Sequence, residues 1–232
     1  MSSVYTAFFY GTLMHPSILR RVIGHDGNEL HICPALLLDH TRHKIKNADY
    51  PGVIPYSRSA GLFEGRELSP DEKSVRGTLV SGLTTQDVIL LDLFEGDEYS
   101  RDTVSVHPLS AFTPLVSTLL PSPPDAHIIP STSSPISSFD ALQTPILAQT
   151  YIWKALSQLE PALWEYEQFI RDSAWKWVGD GSRDNKDYIE VDRRRQMNGR
   201  IIRTTPMDSD EGNVEADVGV IVESDVPVTV QA

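Results

Sequence analysis

Two short segments carry the residues whose types and spacing could do chemistry. The first is FFYGTL, residues 8–13, and the second is LLDLFEGDEYSR, residues 90–101. Val4–Tyr10 is rich in aromatic and β-branched residues, which predicts a strand. Gly11 and Thr12 break that run, and HPSILRRVIG follows with Pro16 at a first helical position and Gly24 at a stop. A strand, a glycine-containing turn and a helix leave several backbone N–H groups at one spot. Such a turn can bind a carboxylate or stabilise an oxyanion. It can equally serve only to reverse the chain, with Gly11 there for the turn.

The second segment delivers a lone carboxylate, Glu95. Thr84 and Thr85 offer N-caps for a helix, and Asp87 stands where a capping-box acid belongs. Val88, Leu90, Leu91, Leu93 and Phe94 make the helix almost wholly apolar, so it is expected to be buried, with Gly96 in a left-handed position at its end. Burial and the helix dipole both disfavour negative charge at a helix C-terminus. Glu95 is therefore expected to hold a proton more firmly than usual and to suit general-base work near neutral pH. The plainer alternative is a surface glutamate beside the acidic pair Asp97–Glu98.

These motifs resemble the γ-glutamylcyclotransferase superfamily, in its avirulence-induced-gene-like branch. YGTL at 10–13 is similar to the family's substrate loop, Y-G-[ST]-[LN], and LDLFEG with YSR to its L-D-x-F-E…Y-x-R stretch. Between and after them, in the family's order, come PALLLDH (34–40), DYPGVIP (49–55), VRGTLVSGL (75–83) and AQTYIWK (148–154). The resemblance covers roughly residues 4–109 and 146–180. It implies an α+β fold: a small mixed β-barrel with surrounding helices and a cleft at one barrel mouth. It also implies an enzyme that releases 5-oxoproline from a γ-glutamyl amide, with Glu95 as the acid/base and no cofactor or metal. Tyr10, Gly11, Thr12 and Leu13 would form the substrate loop. Tyr99 and Arg101 match family positions near the cleft, although Tyr99 could simply pack and Arg101 could simply pair with Asp97 or Glu98. Two other classes stay open: a related amide-cleaving enzyme of specialised metabolism, and a binding protein on the same fold.

The domain expected from this match spans 1–180, with a Pro/Ser-rich insertion at 108–147 and a C-terminal extension at 181–232. The insertion holds eight Pro, eight Ser, four Thr and two charged residues, Asp125 and Asp140. It lies between two predicted strands, where a fold tolerates extra length. Residues 110–145 are thus expected to be dispensable for folding and either to cover the cleft as a lid or to form a surface loop, with LVSTLL and HIIP as pieces that could dock. After it, residues 161–179 read as an amphipathic helix started by Pro161, with Leu163, Tyr166, Phe169, Ile170, Ala174 and Trp177 as a core stripe. Arg193–Arg195 and the acidic run 208–217 read as solvated surface, and the β-rich segment 218–230 as a possible edge strand.

The formal net charge of −12, from 32 acidic against 20 basic residues, argues against nucleic acid or an anionic membrane as partners. A small γ-glutamyl molecule is the expected partner; the sequence does not fix an oligomeric state. Cys33 is the single cysteine, and the start lacks a basic region followed by a long apolar run, so a cytoplasmic protein without disulfides is expected. His40 and His43 lie near Cys33, but three scattered ligand types make a poor metal site, and HTRH (40–43) is expected to be polar surface.

Overall fold

The computed structural model describes residues 4–116 and 139–172. In chain order the elements are β1 (Tyr5–Phe9), a 3₁₀ turn (Thr12–Met14), α1 (Pro16–Ile23), β2 (His31–Leu38), β3 (His40–Ile45), β4 (Pro51–Pro55) and α2 (Tyr56–Ser59). There follow β5 (Ser74–Leu83), α3 (Thr85–Glu95), β6 (Tyr99–Pro108), β7 (Thr113–Pro114), β8 (Ile146–Trp153), β9 (Leu159–Leu163) and α4 (Tyr166–Asp172).

The fold is α+β, built on a closed barrel of five strands. The order β5-β1-β8-β6-β2 closes through pairing of β2 with β5. Every pairing is antiparallel except β1 with β8, which makes the barrel mixed. Closure removes the free edges that an open sheet would expose. A second sheet, β4-β3-β9, packs beside it. Phe8, Phe9, Leu36, Leu79 and Trp153 are among the side chains that fill the interior.

Glycine governs where β1 can run. A Cβ on Gly77 of β5 would stand 2.2 Å from the Phe9 carbonyl oxygen and 2.6 Å from the Phe8 ring. Only a residue without a side chain lets the end of β1 lie so close to β5. That approach fixes the exit of β1 and hence the position of Tyr10–Leu13.

Two of the three expected helices form within a residue or two of where the sequence places them. Helix α1 has Pro16 at its first position and ends at Gly24 in the left-handed region (φ 78°), and Ile18, Leu19, Val22 and Ile23 are buried. Helix α3 is started by a complete capping box between Thr84 and Asp87. It is less buried than its composition predicts. Val88, Leu91 and Phe94 are buried and α1 packs against the helix, while Ile89 and Leu93 stand 48% and 41% exposed. Gly96 has positive φ (71°) but extended ψ (−169°), so it is not in the left-handed region, and a turn through Asp97 and Glu98 leads into β6.

Three expectations need correction. Pro161 does not start a helix. It sits in β9, whose pairing with β3 is carried by Leu159 and Leu163 on either side of it. A proline is tolerated there because β9 is an edge strand. Helix α4 begins only at Tyr166, with Tyr166 and Phe169 buried, and residues 173–179 lie outside the described residues.

HTRH is not polar surface. In β3 the alternation turns Thr41 and His43 inward, both fully buried. His43 uses Nδ1 toward the Glu160 carbonyl (2.8 Å) and Nε2 toward Thr41 Oγ1 (2.8 Å), which also meets Ser59 Oγ at 2.6 Å. These polar groups are buried because each finds a partner.

The start of the segment 110–145, expected to be dispensable for folding, is anchored to the fold. Thr113 and Pro114 pair with Ile32 and His31 of β2, and Leu115 is fully buried, its amide bonded to the Leu30 carbonyl at 2.8 Å. So the start of LVSTLL docks into the core. Residues 117–138, including HIIP and any lid they form, lie outside the described residues, as do the arginine and acidic runs, segment 218–230 and the whole extension 181–232. Among the described residues no helix is long and apolar enough to cross a membrane.

Candidate functional site

A cleft lies where β1 ends near the C-terminal end of α3. Tyr10, Gly11, Thr12, Leu13, Tyr50, Pro51, Glu95, Tyr99 and Tyr151 line it, with Phe8 and Phe9. Each wall has a local cause. The chain leaves β1 at Tyr10 and turns through Thr12–Met14, where Met14 N–H donates to the Gly11 carbonyl (3.0 Å) and His15 N–H to that of Thr12 (3.1 Å). The first amides of such a turn have no carbonyl within it to bond. Gly11 is packed against Pro51: a Cβ there would lie 3.0 Å from two atoms of the prolyl ring. The glycine thus brings the turn and the Tyr50–Pro51 wall together.

Glu95 is the last residue of α3 and half-buried at the cleft. The Gly96 amide makes the last helical bond, to the Asp92 carbonyl at 3.0 Å, and the helix ends there because Gly96 takes a non-helical ψ and the chain turns through Asp97 and Glu98. The Glu95 charge reaches two phenols. Burial, and after it Glu95, pushes the Tyr10 hydroxyl well above its ordinary range; the same two causes, in the same order, raise Tyr151. Both phenols therefore remain protonated at ordinary pH.

The tyrosines form a frame. Tyr10 donates its hydroxyl to the Tyr151 carbonyl. Tyr99 donates to the Pro51 carbonyl at 2.8 Å and sets its ring edge-on to Trp153, with centroids 5.0 Å apart. From behind, Arg42 donates Nη1 to the Tyr10 carbonyl (2.8 Å) and the Arg76 carbonyl (3.2 Å), and its guanidinium lies 4.9 Å from the centre of the Trp164 ring. Burial pulls the Arg42 pKa down to about 10, which still leaves it charged.

The structure brings six of the seven residues singled out in the sequence to this one cleft: Tyr10, Gly11, Thr12, Leu13, Glu95 and Tyr99. Arg101 is not among the lining residues. It also pairs with neither Asp97 nor Glu98: its Nε lies 2.8 Å from Asp92 Oδ1 and its Nη1 donates to Gln149 Oε1 at 2.7 Å. Sequence reasoning missed Tyr50, Pro51 and Tyr151 as lining residues, and Arg42 as the prop of the turn. Tyr50, Pro51 and Tyr151 stand in the matched segments DYPGVIP and AQTYIWK, a signal that could have flagged them. Among the described residues no three His, Cys, Asp or Glu side chains gather where they could hold a metal ion.

Comparison with known proteins bears on what this cleft belongs to. The chain is 24% identical over 102 residues to "Protein AIG2 C" and 28% identical over 104 residues to "AIG2-like protein D", both of Arabidopsis thaliana. These matches cover 44% and 45% of this chain, and 52% and 57% of the relatives, so the chain spans about half the length of the curated relatives it matches. It is also similar to the solution structure of At3g28950.1 from Arabidopsis thaliana, at 18% identity and a TM-score of 0.44, over 77% of this chain and 81% of that one. The family model described as "Gamma-glutamyl cyclotransferase, AIG2-like" matches residues 7–131, which run from β1 past the cleft's glutamate. With more than half of its residues matched, the chain belongs to the AIG2-like gamma-glutamyl cyclotransferase family.

Proposed function

We propose that this protein cleaves a small γ-glutamyl amide by letting the substrate's own α-amine attack its γ-carbonyl, releasing 5-oxoproline and the amine. The observation that carries this reading is that Glu95 and the Tyr10–Leu13 turn share one cleft. In the reaction a bond forms between the α-nitrogen and the γ-carbon, and the bond from that carbon to the leaving nitrogen breaks. Glu95 takes one proton from the attacking nitrogen and gives it to the leaving one. The amides of residues 11–13 hold the α-carboxylate or the oxyanion that develops on the carbonyl. Because nucleophile and electrophile are in one molecule, holding the folded-back conformer supplies much of the rate. The tyrosine frame, tied together by hydroxyl-to-carbonyl bonds, is suited to that holding. We place the protein in the cytoplasm, where such small amides are met.

The test is a panel of γ-glutamyl amino acids, amines and peptides assayed for 5-oxoproline. Acetylating the α-amine should abolish turnover, since the acetylated nitrogen is no nucleophile. Release of free glutamate derivative from the acetylated compound would mean that water is the nucleophile and the protein a hydrolase. Gly11→Val should weaken substrate binding more than it lowers the melting temperature, because its side chain must displace Pro51 from the cleft wall. Unchanged binding in that variant would separate the turn from substrate recognition.

A further inference from the structure

Asp92 and Arg101 do not line the cleft, yet they meet at a side chain that does. The Tyr151 hydroxyl donates to Asp92 Oδ1 at 2.9 Å, and the same oxygen takes Arg101 Nε at 2.8 Å. Three elements converge here. Asp92 lies one turn before Glu95 on α3, a spacing that puts both on one helix face. Arg101 and Tyr151 are direct cross-strand partners on β6 and β8, so their side chains stand on one face of the barrel wall. Arg101 is further held by Gln149, two residues before Tyr151 on the same strand.

A phenol has one hydrogen and acceptor lone pairs. With its hydrogen committed to Asp92, the Tyr151 oxygen can only accept from whatever enters the cleft. The group of a γ-glutamyl amide that needs an acceptor beside Glu95 is the α-amine. One of its N–H hydrogens goes to Glu95 and the other needs a fixed partner if the nitrogen lone pair is to face the γ-carbonyl. We infer that Tyr151 is this partner, and that Asp92 and Arg101 are positioning residues that keep its hydroxyl hydrogen out of the cleft. The inference rests on the cyclotransferase reading above. It gives Arg101, and the aspartate of LDLFEG, work at one remove from the substrate.

The experiment compares Tyr151→Phe, Asp92→Ala and the double variant with wild type, using two probes. One is a γ-glutamyl amide that the wild type turns over. The other is the matching half-amide of glutaric acid, which lacks only the α-amine and is read as a competitive inhibitor. Tyr151→Phe should lower kcat/KM roughly tenfold or more and leave the inhibition constant of the glutaric half-amide unchanged. Asp92→Ala should lower kcat/KM in the presence of Tyr151 but add almost nothing in the Y151F background. Arg101→Lys should fall between wild type and Arg101→Gln. If Tyr151→Phe weakens both probes equally, or neither, or if the two losses simply add, the inference is wrong while the cyclotransferase reading stands. If Tyr151→Phe does not fold, Asp92→Ala carries the test through the same split between probes, and equal loss on both overturns it. A wild-type protein that yields no 5-oxoproline from any γ-glutamyl amide removes both.

Discussion

The two ends of α3 each carry a carboxylate, and they differ in what each one faces. At the N-terminal end Asp87 is only 2% exposed and fully bonded: it accepts the Thr84 amide at 2.8 Å and lies 2.9 Å from His25 Nε2. The helix dipole favours a negative charge there, so the acid stabilises the fold where it stands. At the C-terminal end the dipole opposes a negative charge, and Glu95 faces a cleft lined by tyrosines and a glycine turn. One helix thus holds a structural carboxylate and one in an unfavourable place. An acid kept in an unfavourable place is the one to examine for chemistry.

The sharpest way to break this contrast is Glu95→Gln. It should cut turnover by roughly a hundredfold to ten-thousandfold, the range for loss of a general acid/base, with the melting temperature nearly unchanged. A variant that melts early but turns over normally when folded would reverse the assignment.

Asp87→Ala is the mirror experiment. It strips the capping box and leaves the Thr84 amide without its acceptor, which should cost about 1–2 kcal/mol and lower melting by roughly 3–6 °C. Its kcat/KM per folded molecule should match wild type. A loss of activity without a loss of stability would make the two ends of the helix equivalent.

Acidification sharpens the comparison further. Burial depresses the pKa of His40 and His43 below 6.5 in the fold. As pH falls below about 6.5, the ordinary histidine value, the unfolded chain takes up protons that the fold refuses, so stability declines toward the lower folded-state pKa. Wild type should therefore melt at a lower temperature at pH 5 than at pH 7. A melting temperature that stays flat over this range would show that the fold does not refuse these histidines their protons.

The smallest effect is expected where neither end of α3 is touched. Replacing residues 117–138 with a short glycine-containing turn, while keeping Thr113–Leu115, should shift melting by no more than about 2 °C. A collapse would make that segment an integral layer. Unchanged melting with altered KM would mark it as a control on substrate access.

The sequence made both ends of α3 legible for physical reasons. A capping box is a three-residue spacing, and Thr84–Asp87 could be read directly. The YGTL turn and Glu95 are also local, each set by a strand or helix end and a glycine. What could not be read depends on partners far along the chain. His43 looked like surface because its acceptor is the Glu160 carbonyl, 117 residues away. Pro161 looked like a helix start because the pairing of β9 with β3 outweighs the local signal. Where Leu115 docks could not be read, because its amide partner is the carbonyl of Leu30, just before β2. Tyr151 entered as one letter of a strand motif, and nothing nearby in sequence shows that its hydroxyl meets Asp92.

The parallel pairing of β1 with β8 has a consequence for how the molecule is made. β1 leads into the turn that heads the cleft, and β8, which supplies Tyr151, spans Ile146–Trp153. During synthesis the first strand leaves the ribosome more than a hundred residues ahead of its parallel neighbour. It must wait, paired at best with β5, while a polar Pro/Ser tract is translated in between. A nascent chain halted between α3 and β8 has its glutamate and its YGTL turn but an open barrel and no far wall. Competence for any ligand of this cleft therefore arrives in one late step, and the slow, non-local closure that it requires is the stage at which an unfinished chain is most exposed to misassembly.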